Sequence, residues 1–154
     1  MQPATTPVAS TPRLWVDTHV ILDANSGDQA YDYFLPREQY IEFGAANQAF
    51  FTIESYVYGP ARADVDLYVM RTRDQGYDDG DQFEDMNAAG ISLPDGHGWT
   101  NYTFGRGPTS NNNDLFPRGV GSLRLNNTSA TDFADVRIRV WVTLQRYLRR
   151  GYFR

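Results

Sequence analysis

The sequence has no cysteine and no lysine. Without cysteine there is no disulfide, thiolate metal site, Fe–S cluster or thiol nucleophile. Without lysine there is no Schiff-base chemistry and no P-loop lysine to grip a phosphate. All fourteen basic residues are arginine, and fifteen Asp stand against four Glu. A GC-rich genome accounts for that bias without selection on the protein; a salty environment is the other account. Histidine is scarce, with His19 and His97 alone, and neither sits in the spacing of a cupin-type or two-histidine iron site. There is no Gly-x-Ser-x-Gly elbow and no Gly-x-Gly-x-x-Gly turn. Catalysis is therefore not expected; a pair of glycosidase carboxylates is the one enzymatic arrangement that a single sequence leaves open. No apolar stretch approaches the roughly 18 residues of a membrane span. The N-terminus lacks the basic and apolar regions of a secretory signal.

What is present favours one folded domain. The 154 residues match the usual domain size, and 41% of them are hydrophobic. The formal charge of −5 argues against a general nucleic-acid partner, which needs a basic surface.

The dominant period is two. Val136, Ile138, Val140, Val142 and Leu144 alternate with Arg137, Arg139, Trp141, Thr143 and Gln145. That is the pattern of a half-buried strand. The same alternation covers residues 49–58 and 64–70. Residues 14–22 are rich in β-branched and aromatic side chains, and shorter candidates lie at 30–35, 39–43, 99–104 and 119–125. Helix signals are confined to residues 81–89, where Phe83 and Met86 share a face ahead of Gly90. The expected fold is all-β: a single-domain antiparallel β-sandwich, jelly-roll-like, with about eight strands and long loops at 73–98 and 105–117. Residues 1–12 hold three prolines, three threonines and no charged side chain, which predicts an extended arm. The sandwich then covers 13–148, and 149–154 form a tail.

Three segments are candidate sites. Six carboxylates fall within residues 74–85, and Asp74, Asp78, Asp79 and Asp81 suit a hard cation such as Ca²⁺, though not in EF-hand spacing. The alternative there is a solvated acidic loop. Four arginines and three aromatics crowd residues 146–154; Arg146, Arg149, Arg150, Tyr152, Phe153 and Arg154 suit an acidic protein surface on a neighbouring copy. The alternatives are a tail folded back over its own sheet edge and a contact with nucleic acid through phosphates and stacking. Tyr56, Tyr58, Tyr68 and Trp141 fall on the less aliphatic faces of their strands and form a candidate aromatic face for a glycan or a protein. The sequons at Asn101, Asn126 and Asn127 mean little without a secretion signal.

The segment Ala63-Asp-Val-Asp-Leu-Tyr-Val69 resembles a strand motif of bacterial pre-peptidase C-terminal domains, small β-sandwiches attached to secreted enzymes. It covers seven residues, and the glycine- and tyrosine-rich closing strand of that family is missing. No family is adopted over the whole chain. The leading functional expectation is a non-enzymatic assembly protein of a virus or phage: a capsid, decoration or spike-base component located in the virion. Its partners would be copies of itself and other assembly subunits, with no cofactor beyond the candidate Ca²⁺. The alternative is a ligand-binding sandwich such as a carbohydrate-binding module, cytoplasmic or exported without a classical signal.

Overall fold

Alternating apolar and polar residues can satisfy the backbone and bury one face only by pairing as strands. The computed structural model describes residues 5–9, 11–25, 32–44, 46–72, 83–87, 89–105, 117 and 119–149; for 5–9, 72 and 146–149 it describes the backbone alone. It contains β1 (Thr5–Ala9), β2 (Arg13–Leu22), β3 (Asp32–Phe34), β4 (Ile41–Gly44), β5 (Gln48–Tyr58), β6 (Val65–Thr72), β7 (Glu84–Asp85), β8 (Ile91–Ser92), β9 (Gly96–Gly105), β10 (Gly119–Asn127) and β11 (Ala134–Arg149). A 3-10 turn, Arg37–Gln39, precedes β4. No helix among the described residues is long and apolar enough to cross a membrane.

Two antiparallel sheets form. In the first, β11 pairs with β5 and β5 with β9, while β2 and β1 share the other edge of β11 end to end. In the second, β10 pairs with β6; β3 and β4 share the far edge of β10, and β7 and β8 share the far edge of β6. The first sheet thus runs β2-β11-β5-β9 and the second β3/β4-β10-β6-β7/β8. That order is compatible with an eight-stranded jelly roll, in which collinear short strands count as one.

All eight strand candidates correspond to strands. The three additional ones, β1, β7 and β8, are short. The helix expected at 81–89 is overturned over its described residues: Glu84–Asp85 is a strand against β6. The reason is hydrogen bonding. The Met86 N–H donates to the Val69 carbonyl, and the buried Asn87 side chain accepts from the Val69 N–H at 2.8 Å and donates to the Leu67 carbonyl at 3.0 Å. An amide that imitates a neighbouring strand satisfies β6 better than a helical turn would. The connection 73–98 is consequently not one loop, since it carries β7, β8 and the start of β9. At the C-terminal end, β11 continues to Arg149.

One core lies between the sheets. The inward face of β11 is Ala134, Val136, Ile138, Val140, Val142 and Leu144, all buried. Phe51 of β5 meets Trp15, Phe43 and Phe104 with ring centroids 6.0, 6.4 and 5.8 Å away. The Trp15 indole N–H donates to the Gln39 carbonyl at 2.7 Å, which pins the ring beside the 3-10 turn. Phe43 approaches the β10 backbone so closely that a Cβ on Gly121 would lie 2.4 Å from its ring. Only glycine allows that contact.

Candidate functional site

The outer face of the first sheet carries the densest set of polar and aromatic side chains that interact with one another. Strand register assembles it in rows. Asp17, Arg139, Glu54 and Trp99 lie opposite one another across β2, β11, β5 and β9. His19, Arg137, Tyr56 and His97 form the next row. Neighbours in such rows stand about 4.5–5.5 Å apart at Cβ, close enough to bond.

Glu54 is the hub. Its Oε1 accepts from Arg139 Nη1 at 3.3 Å. Its Oε2 accepts from the Tyr56 hydroxyl at 3.3 Å and meets His97 Nε2 at 3.0 Å. A carboxylate only accepts, so the imidazole donates. The His97 ring stacks on Tyr56 at 4.3 Å and 11°. Arg139 and Arg137 both reach Asp17, at 3.5 and 3.6 Å. His19 Nε2 bonds Asp135 Oδ1. Trp99 and Trp141 stack at 6.0 Å and 24°.

Glu54 is only 7% exposed although it lies on an outer face. The His97 hydrogen bond, chiefly, holds its carboxyl below the ordinary 4.5; burial opposes this, and the Tyr56 and Arg139 bonds and the Arg139 charge assist. A carboxylate with a depressed folded value contributes stability that is present above its unfolded value and lost as pH falls through the folded one. Denaturant unfolding between pH 3 and 7 should therefore show a loss of stability below about 4.5 that is smaller in Glu54→Gln. Identical pH profiles for the two proteins would contradict the assignment.

This His–carboxylate pair lies on an open sheet face, not in a cleft. A cavity of about 340 Å³ lies between β2 and the 3-10 turn, lined by Arg13, Trp15, Glu38 and Tyr40 among others, and it contains neither histidine. No group of three or more metal-ligating side chains occurs among the described residues.

The structure sorts the predicted residues as follows. Tyr56 and Trp141 lie on the outer face, with Tyr58 at its end. Tyr68 does not join them: it belongs to the second sheet, where Arg124 sits 4.0 Å over its ring and pairs with Asp32 and Asp85. Arg146 and Arg149 are in β11, with backbones opposite Val8 and Thr5. Arg150, Tyr152, Phe153 and Arg154, and the acidic Asp74, Asp78, Asp79 and Asp81, lie outside the described residues. The sequence alone does not bring Glu54, His97 and Trp99 together as a cluster; His97 and Trp99 lie in β9. The alternation in β5 already put Glu54 beside Tyr56 on one face; the β5–β9 register was the missing piece.

No protein-family model matches the chain, and no curated protein matches it. Among solved structures, it is similar to a chain of the cowpea mosaic virus top component, described as naturally occurring empty particles. That alignment covers 98% of this chain and 93% of the other at 15% identity, with a TM-score of 0.37.

Proposed function

We propose that the chain is a non-enzymatic structural subunit of a virion, a jelly-roll capsid, decoration or spike-base protein, that self-associates through its N-terminal arm and the end of β11. The observation that carries this reading is where the arm runs. β11 has sixteen residues, and β2 covers its edge only between Ala134 and Val142. The overhang from Gln145 to Arg149 is paired by β1. An unpaired strand edge recruits any strand that fits, and a strand from a neighbouring copy satisfies it as well as the chain's own. The arm has no charged side chain, so it adds no repulsion between copies that each carry −5. The polar groups of the outer face pair with one another on an open sheet rather than converging in a pocket, which favours an architectural role.

The test uses the absence of native cysteine. Val8 and Arg146 are register partners, so Val8→Cys with Arg146→Cys reports who pairs with whom. Under oxidation, arm exchange gives covalent multimers on a non-reducing gel. Val8→Pro, which deletes a backbone donor from β1, should reduce the multimer seen by light scattering while the sandwich unfolds at nearly the same denaturant concentration. Full-chain protein that is monomeric at every concentration, or a Val8→Pro protein that assembles normally, would sink the reading. Repeating the scattering with a chelator checks the Ca²⁺ proposal at Asp74, Asp78, Asp79 and Asp81.

A further inference from the structure

We infer that the outer face of the β2-β11-β5-β9 sheet is a second, two-fold interface between copies of this chain. The inference rests on the self-association reading above and names a separate surface for it. Six large apolar side chains are exposed among the described residues: Leu14, Ile21, Phe34, Tyr58, Trp99 and Phe133. Five of them gather on this face or at its end. Ile21 and Tyr58 flank Asp135 in register, and the Phe133 ring lies against Gly59, next to Tyr58. At the other end, a register shift after Val140 sets Leu14 opposite Trp141, which stacks with Trp99. The face therefore interleaves apolar and charged side chains: Asp135 sits between Ile21 and Tyr58, and Trp99 extends the row of Asp17, Arg139 and Glu54. Its three carboxylates (Asp17, Glu54, Asp135) and two guanidiniums (Arg137, Arg139) leave it −1 of the chain's −5, so the rest of the chain carries −4. Acid and base are nearly balanced on it, so the face can be complementary to itself.

The arrangement is self-complementary about one axis. A two-fold axis parallel to the strands, between β11 and β5, sets β11 of one copy over β5 of the other. Arg139 then faces Glu54 and Arg137 faces Tyr56 across the interface, while Tyr58 comes over Asp135 and Trp99 over Asp17. An axis across the strands would set β11 on β11 and bring the arginines together. Four strands about 4.8 Å apart and ten residues long at about 3.3 Å each give roughly 630 Å² per copy, or about 1,250 Å² in total, at the lower bound for a specific complex. A dimer of that size forms at the high local concentration of an assembly.

Sedimentation equilibrium on the full chain tests this. Trp99→Asp and Tyr58→Asp should each raise the dimer Kd at least about tenfold, because each removes an anchor and buries a new carboxylate against Asp17 or Asp135 of the other copy. Phe34→Asp, on the other sheet, should leave it unchanged. Val8→Pro should lose larger multimers and keep the dimer. Face variants with an unaltered Kd overturn the interface; if Val8→Pro alone abolishes association, the arm reading survives without it. Quenching of tryptophan fluorescence by a soluble β-glucan, with no dimer at any concentration, would assign the face to carbohydrate and overturn the proposal.

Discussion

Asn127→Asp should unfold far more easily than the native protein at pH 7, by at least about 3 kcal/mol, and should regain part of that loss at pH 5. Asn127 is fully buried. Its Nδ2 faces three carbonyls, of Leu22 at 3.3 Å, Asp23 at 3.1 Å and Asp132 at 2.9 Å. Its Oδ1 accepts from the Ser129 N–H at 3.0 Å. One amide thus ties the end of β2 to the β10–β11 turn. A carboxylate there keeps the acceptor but replaces the NH₂ group, with both its donors, by a second oxygen that shares the negative charge and faces three carbonyls. Burial without a counter-charge raises the folded value of that new acid. The penalty is therefore full at neutral pH and shrinks as pH falls and the acid protonates. Asn127→Ala lacks the charge and should lose about 2–4 kcal/mol, or roughly 4–16 °C in Tm, with no pH recovery. An Asp variant within about 1 kcal/mol of the native protein at pH 7 would contradict the role assigned to the amide. The same burial shows that the sequon at Asn127 is structural in the folded protein, whereas Asn101 on β9 is exposed.

Legibility in the sequence followed from how each element is buried. β11 separates a water-facing side from a core side over many residues, so period two marks it plainly. β7 and β8 have two residues each, too few for any period, and they exist because β6 offers an edge that Met86 and Asn87 complete. The arm is poor in large apolar residues, so its pairing with β11 leaves no pattern. Alternation says which side chains share a face of one strand, and it does not say which sheet the strand joins. Hence alternation alone groups Tyr68 with Tyr56, although opposite sheets hold them. It does not give register either: His97 and Glu54 are 43 residues apart, and only the β5–β9 pairing brings them together. Leu14 shows a third limit. The irregularity between Val140 and Trp141 lets Trp15 turn inward onto Phe43 and Phe51 while Leu14 faces out beside Trp141.

Phe51→Ala should cost about 3–5 kcal/mol. Phe51 is 1% exposed and contacts rings from both sheets: Phe43 from the second, Trp15 and Phe104 from the first. Removing the ring deletes its transfer free energy and leaves a void, because Phe43 is itself held against Gly121 and has no room to shift toward β10. Trp15 is likewise fixed by its bond to Gln39. A site that cannot collapse sits at the high end of the range. Phe51→Leu fills part of the void and should lose less. Both are read from the denaturant midpoint, with an unchanged slope showing that the same surface is exposed on unfolding. A loss under about 1 kcal/mol for Phe51→Ala would mean the aromatic cluster is not the joint between the sheets. The comparison with Trp99→Asp separates the two sides of one sheet. Phe51 points inward from β5, so its truncation should lower stability while the dimer Kd of the folded fraction stays unchanged. Trp99 points outward from the neighbouring β9, so its replacement should raise the dimer Kd and cost less stability than Phe51→Ala, the loss coming from its stack on Trp141 and the new carboxylate opposite Glu54.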